Sequence, residues 1–274
     1  MIEALSYPFF QRALLAGLLA SLACGIVGTY VVVKEFASIS GGLAHAAFGG
    51  LGLGYLLGFS PMLGAAGFGL ASGVGIGLAH RRLTEGFETL VMVVWSLGMA
   101  PGILFVSAVP GYAPDLTTYL FGNILFVSPT YLLLAALLDL VLVATVALFF
   151  TQLQGVVFDE EFSEILGVPV TAVLVGLLAL TSLVVVLLIR VVGVLLVIAL
   201  LTIPAATVRP WARGLGHMMV LSTVAGGLAI VLGLFATYFA STTLSVDPPT
   251  GPVIVVLSVL GYLASSSVAR SRGP

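Results

Sequence analysis

Residues 165–189 read ILGVPVTAVLVGLLALTSLVVVLLI, without one charged side chain, and Arg190 closes the run. A helix needs about 20 apolar residues to cross the hydrocarbon core of a bilayer, so this stretch is long enough to span one. The pattern repeats on both sides, with charge-free runs at 13–33, 36–80, 89–114, 116–138, 140–158, 191–208, 214–246 and 248–269. The 36–80 run holds two spans, divided by Pro61 after Gly58-Phe59-Ser60. Gly122-Asn123 and Ser128-Pro129 interrupt the 116–138 run, so 112–127 reads as a loop or re-entrant piece and the next span starts near Tyr131. The spacing predicts an all-α polytopic membrane protein. It has about nine spans (eight to ten fit), at 10–33, 40–59, 62–80, 88–108, 131–151, 170–189, 191–208, 215–240 and 251–268.

Composition agrees. Of 274 residues, 9 are basic and 11 acidic, so 7% are charged, where a soluble domain carries roughly 25%. Hydrophobic residues make up 60% and mean hydropathy is +1.26. A net charge of −2 excludes a nucleic-acid binder, which needs a basic face. Cys24 is the only cysteine, which excludes a disulfide scaffold and a multi-cysteine metal site. Lys34 is the only lysine and no phosphate-loop pattern precedes it, so ATP is not hydrolysed here through a Walker site. Neither His-Glu-x-x-His nor Gly-x-Ser-x-Gly occurs, which argues against a membrane enzyme. The N-terminus has no basic leader or small-residue cleavage site, so the first span is expected to be retained. With nine spans and the C-terminus inside, Lys34, Arg81, Arg82, Arg209, Arg213, Arg270 and Arg272 fall inside, and only Arg12 and Arg190 outside. That asymmetry places the N-terminus outside.

His45 lies eleven residues beyond Lys34, roughly 16 Å into the membrane and near its midplane. Its helical neighbours Gly41, Gly49 and Gly52 form a smooth stripe that points at a helix or a cavity, not at lipid. Imidazole at that depth suits a metal path, or a single interhelical hydrogen bond. One histidine holds a metal weakly, and two copies across a dimer axis would supply two. Asp139, inside the fifth span, is either a proton or cation relay or, preferably, a structural partner of a neighbouring Thr or backbone group. Pro204 frees a carbonyl, for gating or for packing. Glycines at 69, 73 and 77, and at 50, 54 and 58, are spaced for close helix packing. Ile26-Val27-Gly28 and Val191-Val192-Gly193 suggest a short internal repeat. Trp95, Ser96 and Met99 read as packing, Glu35 as the partner of Lys34, and His80 and His217 as solvated boundary residues. Asp247-Pro248-Pro249-Thr250-Gly251-Pro252 reads as a rigid outer turn.

The second candidate site is 156–167, read as one short amphipathic helix. Phe158, Phe162, Ile165 and Leu166 share a face, while Glu160, Glu161 and Glu164 lie mostly off it. Asp159 and Glu160 suit a helix N-terminus; Gly167 and Pro169 are stop signals. Interfacial helices are typically rich in Lys and Arg. This one has neither, so a protein partner is expected.

Several segments carry a family resemblance: Arg12-Ala-Leu-Leu-Ala-Gly, Gly28-Thr-Tyr-Val-Val-Val-Lys and Ile39-Ser-Gly-Gly-Leu-Ala-His-Ala-Ala-Phe-Gly-Gly. Tyr119-Leu-Phe-Gly-Asn-Ile-Leu-Phe-Val-Ser, Phe158-Asp-Glu-Glu-Phe, Leu166-Gly-Val-Pro, Val192-Gly-Val-Leu-Leu-Val, Leu201-Thr-Ile-Pro-Ala-Ala-Thr and Asp247-Pro-Pro-Thr-Gly follow in order. Together they resemble the membrane permease subunits of ABC importers for zinc, manganese and iron. The resemblance implies a single permease domain over 1–274 in the plasma (inner) membrane, working as a homodimer. It implies a separate ATP-binding cassette ATPase that consumes the ATP, and an extracellular or periplasmic metal-binding protein. This chain would then hold no cofactor and make no covalent bonds. Phe158, Asp159, Glu160, Glu161, Phe162, Glu164, Leu166 and Gly167 would form the coupling helix that docks in the ATPase. His45 matches the family's metal-contacting histidine, with Gly41, Gly49, Asp139 and Pro204 in gating or packing. Many members carry Asp at the position of Gly41, a departure that leaves the metal held loosely or by other groups. Rival readings are a permease for iron chelates or cobalamin and a proton-coupled secondary carrier.

Overall fold

In lipid, a chain must satisfy its backbone groups internally, and helices do this segment by segment. The computed structural model describes residues 2–83, 86–109, 119–120, 122 and 124–271, and these form no strand. The helices are α1 (Pro8–Val33), α2 (Ala37–Leu57), α3 (Pro61–His80), α4 (Phe87–Ser107), α5 (Pro129–Leu148) and α6 (Phe150–Phe158). They continue with α7 (Glu160–Ile165), α8 (Val170–Val192), α9 (Val194–Val208), α10 (Leu215–Phe239) and α11 (Thr250–Ser271). Proline opens α3 and α5, where its missing N–H has no intrahelical partner to lose. Gly58 closes α2 in the left-handed region (φ 73°), which a glycine enters without strain.

Eight of the described helices are long and apolar enough to cross a membrane. α2 is not among them: it is 21 residues long and free of charge, but its glycines and His45 dilute its apolarity. It is instead largely buried in protein, and the eight lie within the expected eight to ten.

Four expectations meet a different outcome. The fifth span stops at Leu148, and α6 starts afresh at Phe150 after Phe149 leaves the helical region. Of the expected loop at 112–127, residues 112–118, 121 and 123 lie outside the described residues, and Ile124–Phe126 forms a 3-10 turn. The suggested repeat is not structural: Gly28 lies inside α1, whereas Gly193 (φ 85°) separates α8 from α9. The outer turn is shorter than expected, because α11 starts at Thr250 and takes in Gly251 and Pro252.

The chain forms two compact units: Met1–Val32, Thr117–Val141 and Leu188–Pro274 make one, and Val33–Leu116 with Leu142–Leu187 the other. In the first unit, glycines of α1 admit neighbouring backbones. A Cβ at Gly28 would strike the Leu201 carbonyl of α9, and one at Gly25 would meet the Thr223 backbone of α10 at 2.6 Å. Phe10 packs on Phe235 and Tyr238, with ring centroids 5.2 and 5.9 Å apart. In the second unit α2 lies between α3 and α4. Gly50 abuts the Gly64 carbonyl of α3, and Gly52 abuts Gly102 of α4. The glycine stripe of α3 packs on α8: Gly69 meets Val186, Gly73 meets Leu178 and Ser182, and Gly77 meets Val175. Gly58, placed on the packing stripe of α2 by its spacing, is instead its cap, with open space around it.

Candidate functional site

The small residues that let α4 approach α2 also shape the surroundings of His45. Every residue from 39 to 52 is buried except His45, which is partly exposed. The smooth stripe points at a helix: Gly98 of α4 leaves no room for a Cβ against Ala46, and a Cβ at Gly49 would lie 3.0 Å from the Gly98 carbonyl and 3.2 Å from the Phe68 ring. Trp95, read above as packing, stacks on the imidazole with centroids 4.4 Å apart and planes 14° apart. The same indole fills the space over Gly41, where a Cβ would lie 2.9 Å from Trp95 Cζ3. His45 Nδ1 is buried without a hydrogen-bond partner among the described residues. Among the described residues, no group of three or more His, Cys, Asp or Glu side chains is placed to hold a metal ion.

The 156–167 segment is not one helix. α6 ends at Phe158, the chain extends at Asp159 (φ −151°, ψ 103°), and a new six-residue helix, α7, follows. The break has a local cause. The Asp159 carboxylate accepts the Phe162 N–H at 2.9 Å, the N-cap bond that starts a helix rather than continues one. Gly167, at φ 81°, ends α7, and the Val168 N–H reaches back to the Ser163 carbonyl at 3.0 Å.

Two of the acids of α7 face this chain's own cations. Glu160 Oε1 pairs with Lys34 Nζ and lies 3.2 Å from His80 Nε2. Lys34 also donates to the Val156 carbonyl at 3.3 Å. Burial pushes the Glu160 carboxyl up, but Lys34 and His80 together outweigh it and hold the group below its ordinary range. Glu164 takes both arms of the Arg81 guanidinium, at 3.0 and 2.5 Å, and these bonds hold its carboxyl down. The His80 ring stands edge-on to Phe36 and Phe87, with centroids 5.1 and 4.7 Å away, and its Nδ1 is buried without a partner among the described residues. Two boundary readings therefore change: Lys34 pairs with Glu160 rather than Glu35, and His80 joins that ion pair rather than standing as a solvated residue. His217 Nδ1 accepts the Arg213 N–H, at 3.1 Å. The signal for these ion pairs was present in the sequence as cations at the ends of the first and third spans and an acidic loop.

What α7 leaves open is apolar. Phe158, Phe162, Ile165 and Leu166 are 62, 57, 82 and 66% exposed, beside an exposed Glu161. Soluble surfaces seldom present so contiguous an apolar group unless something covers it.

Asp139 lies on the inward stripe of α5 with Ala135, Leu142 and Val146. It is 5% exposed, and no Thr or backbone group reaches its Oδ2 among the described residues. The expected structural partner is absent there. Pro204 lies inside α9, which continues to Val208, and its Cγ is 3.6 Å from where a Cβ would sit at Gly226 of α10.

The chain is 37% identical over 270 residues to the membrane protein slr2045 of Synechocystis, covering 98% of this chain and 94% of that one. It is 30% identical over 266 residues to the manganese import system permease protein ScaB of Streptococcus gordonii, covering 97% and 93%. Its fold superposes on PsaBC from Streptococcus pneumoniae, solved in complex with a Fab, with a TM-score of 0.82 at 30% identity, over 96% of this chain and 93% of that one. The ABC 3 transport family matches residues 6–269. Nearly end to end, the chain belongs to the ABC 3 transport family.

Proposed function

We propose that this chain is the membrane permease subunit of an ATP-driven importer of divalent transition metal ions, zinc or manganese. It works as a homodimer in the plasma membrane, with its N-terminus outside and its C-terminus in the cytoplasm. The observation that carries the reading is the capped, charge-anchored helix α7 with its uncovered apolar face. A separate ATPase covers Phe158, Phe162, Ile165 and Leu166, while an external metal-binding protein delivers the ion to the opposite side. Movement of α7 passes through Glu160 to Lys34 and His80, and through Glu164 to Arg81. Lys34 directly follows α1, and His80 and Arg81 lie at the end of α3. α3 packs on α2, which carries His45. The ion passes His45 as the ends of the spans rearrange, in alternating access. This chain supplies the path and its partner the energy.

The test is uptake of labelled zinc and manganese by proteoliposomes holding the permease with its ATPase and binding protein. Uptake is expected to require ATP. Fully burying a large apolar side chain stabilises an interface by about 1.5–3 kcal/mol. Phe162→Asp with Ile165→Asp is therefore expected to cut ATP-driven uptake at least tenfold and to abolish co-purification with the ATPase. Uptake by the isolated chain without ATP overturns the reading in favour of a secondary carrier.

A further inference from the structure

The environment of His45 has an asymmetry that the import reading does not use. Within the buried stretch 39–52, the only opening is at the imidazole. One turn before it, Gly41 carries no side chain, and the Trp95 indole occupies the space a side chain would need. One turn after it, Gly49 is closed by Gly98 and Phe68. Phe48 adds a second ring, its centroid 6.3 Å from the imidazole. The imidazole is therefore walled by aromatic carbon and backbone, with Nδ1 buried and the side chain partly exposed. No carboxylate joins it in a three-residue cluster among the described residues.

We propose that Trp95 is the positioning and specificity residue of the ion path: it holds the His45 ring flat and excludes any oxygen donor from position 41. An ion crossing here meets one imidazole nitrogen per chain and, one turn before it, an indole in place of an oxygen donor. Imidazole suits zinc, whereas carboxylate and water suit manganese. The window thus favours the borderline ion over the hard one. Zinc usually takes three or four ligands, so one nitrogen holds it weakly, as a site that must also release its ion requires. The inference rests on the import reading above and adds which ion the path prefers and which residue sets the preference.

The experiment compares wild type, Trp95→Phe, Trp95→Ala, His45→Ala and the pair Gly41→Asp with Trp95→Ala. Each is purified with its ATPase and assayed in proteoliposomes with the binding protein for zinc and manganese uptake. Melting temperature identifies any variant that has merely lost its fold. Trp95→Phe keeps a ring on the imidazole and is expected to keep the zinc preference. Trp95→Ala is expected to raise the zinc KM at least fivefold with a smaller change in turnover rate. The double variant restores an oxygen donor one turn from His45 and is expected to shift the zinc-to-manganese ratio at least tenfold toward manganese. In a Trp211→Phe background, zinc is expected to change Trp95 emission, and His45→Ala to abolish that response. A folded double variant with the wild-type ratio, or Trp95→Ala with an unchanged zinc KM, overturns the assignment of Trp95 and leaves the import reading standing. A wild-type complex that takes up neither ion overturns the import reading, and this assignment with it.

Discussion

At the scale of single residues, the glycines separate into those that a neighbour needs and those that nothing needs. Both kinds occur on α3. A Cβ at Gly73 would lie 2.7 Å from the Leu178 carbonyl, whereas nothing lies within 4 Å of one at Gly75. Gly73→Ala is expected to destabilise the permease by about 1–3 kcal/mol, the cost of forcing a packed contact apart. Gly75→Ala is expected to be neutral or to stabilise by up to about 1 kcal/mol through helix propensity. Thermal unfolding in detergent distinguishes them, and equal shifts would refute the packing role. Asp139 offers the opposite case. Its buried Oδ2 has no partner among the described residues, and an unsatisfied buried polar group costs about 1–3 kcal/mol. Asp139→Asn removes the charge at constant shape and is expected to raise the melting temperature. A fall would mean that the carboxylate is held by a partner in the working complex. The depth of His45 was legible because residue count along a helix is distance. The indole over it was not, because Trp95 is fifty positions away and only the α2–α4 crossing brings it there.

At the scale of elements, α7 is a short helix that cannot hold itself. Six residues are too few for a helix to persist alone, so its cap and its two ion pairs set its position. Asp159→Ala is expected to cost about 1 kcal/mol of local stability, seen as faster amide exchange over 160–165. The pH response follows from Glu160. Its folded carboxyl sits below the ordinary 4.5, so its contribution is complete above that value. It is lost as pH falls from 4.5 through the depressed folded value. Glu160→Gln is therefore expected to melt lower than wild type at neutral pH, and the gap to close on acidification below 4.5. A gap that widens instead would remove Lys34 and His80 as its partners. The apolar face and the stop at Gly167 were readable from spacing. The break at Asp159 was misread because a periodic face runs across it, whereas the cap bond is a local competition that periodicity does not register. The pairing of Glu160 with Lys34 and His80, and of Glu164 with Arg81, was not read from the sequence because these cations lie far away in it, at the ends of other helices.

At the scale of the whole molecule, orientation is the property to test. Cys24 is buried, so it does not compete with introduced thiols. With Tyr7→Cys, a membrane-impermeant maleimide is expected to label intact cells. With Ser271→Cys it is expected to label only after permeabilisation. The reverse pattern would invert the topology. The compact units are not successive halves of the chain: their boundaries fall inside α5 and α8 as well as near the end of α1. A reading that divides a sequence at loops does not find such boundaries.

The sequence by itself determined the all-helical membrane fold, nearly every span and the apolar face of α7. Hydrocarbon admits only long apolar helices, and that requirement is written locally, residue after residue. Only the tertiary structure decided that Trp95 covers His45, that Lys34, His80 and Arg81 hold Glu160 and Glu164, and that the buried Asp139 Oδ2 has no partner among the described residues. Each of these depends on which helices cross and at what register, and in a chain with so few charges many crossings satisfy the local pattern equally well.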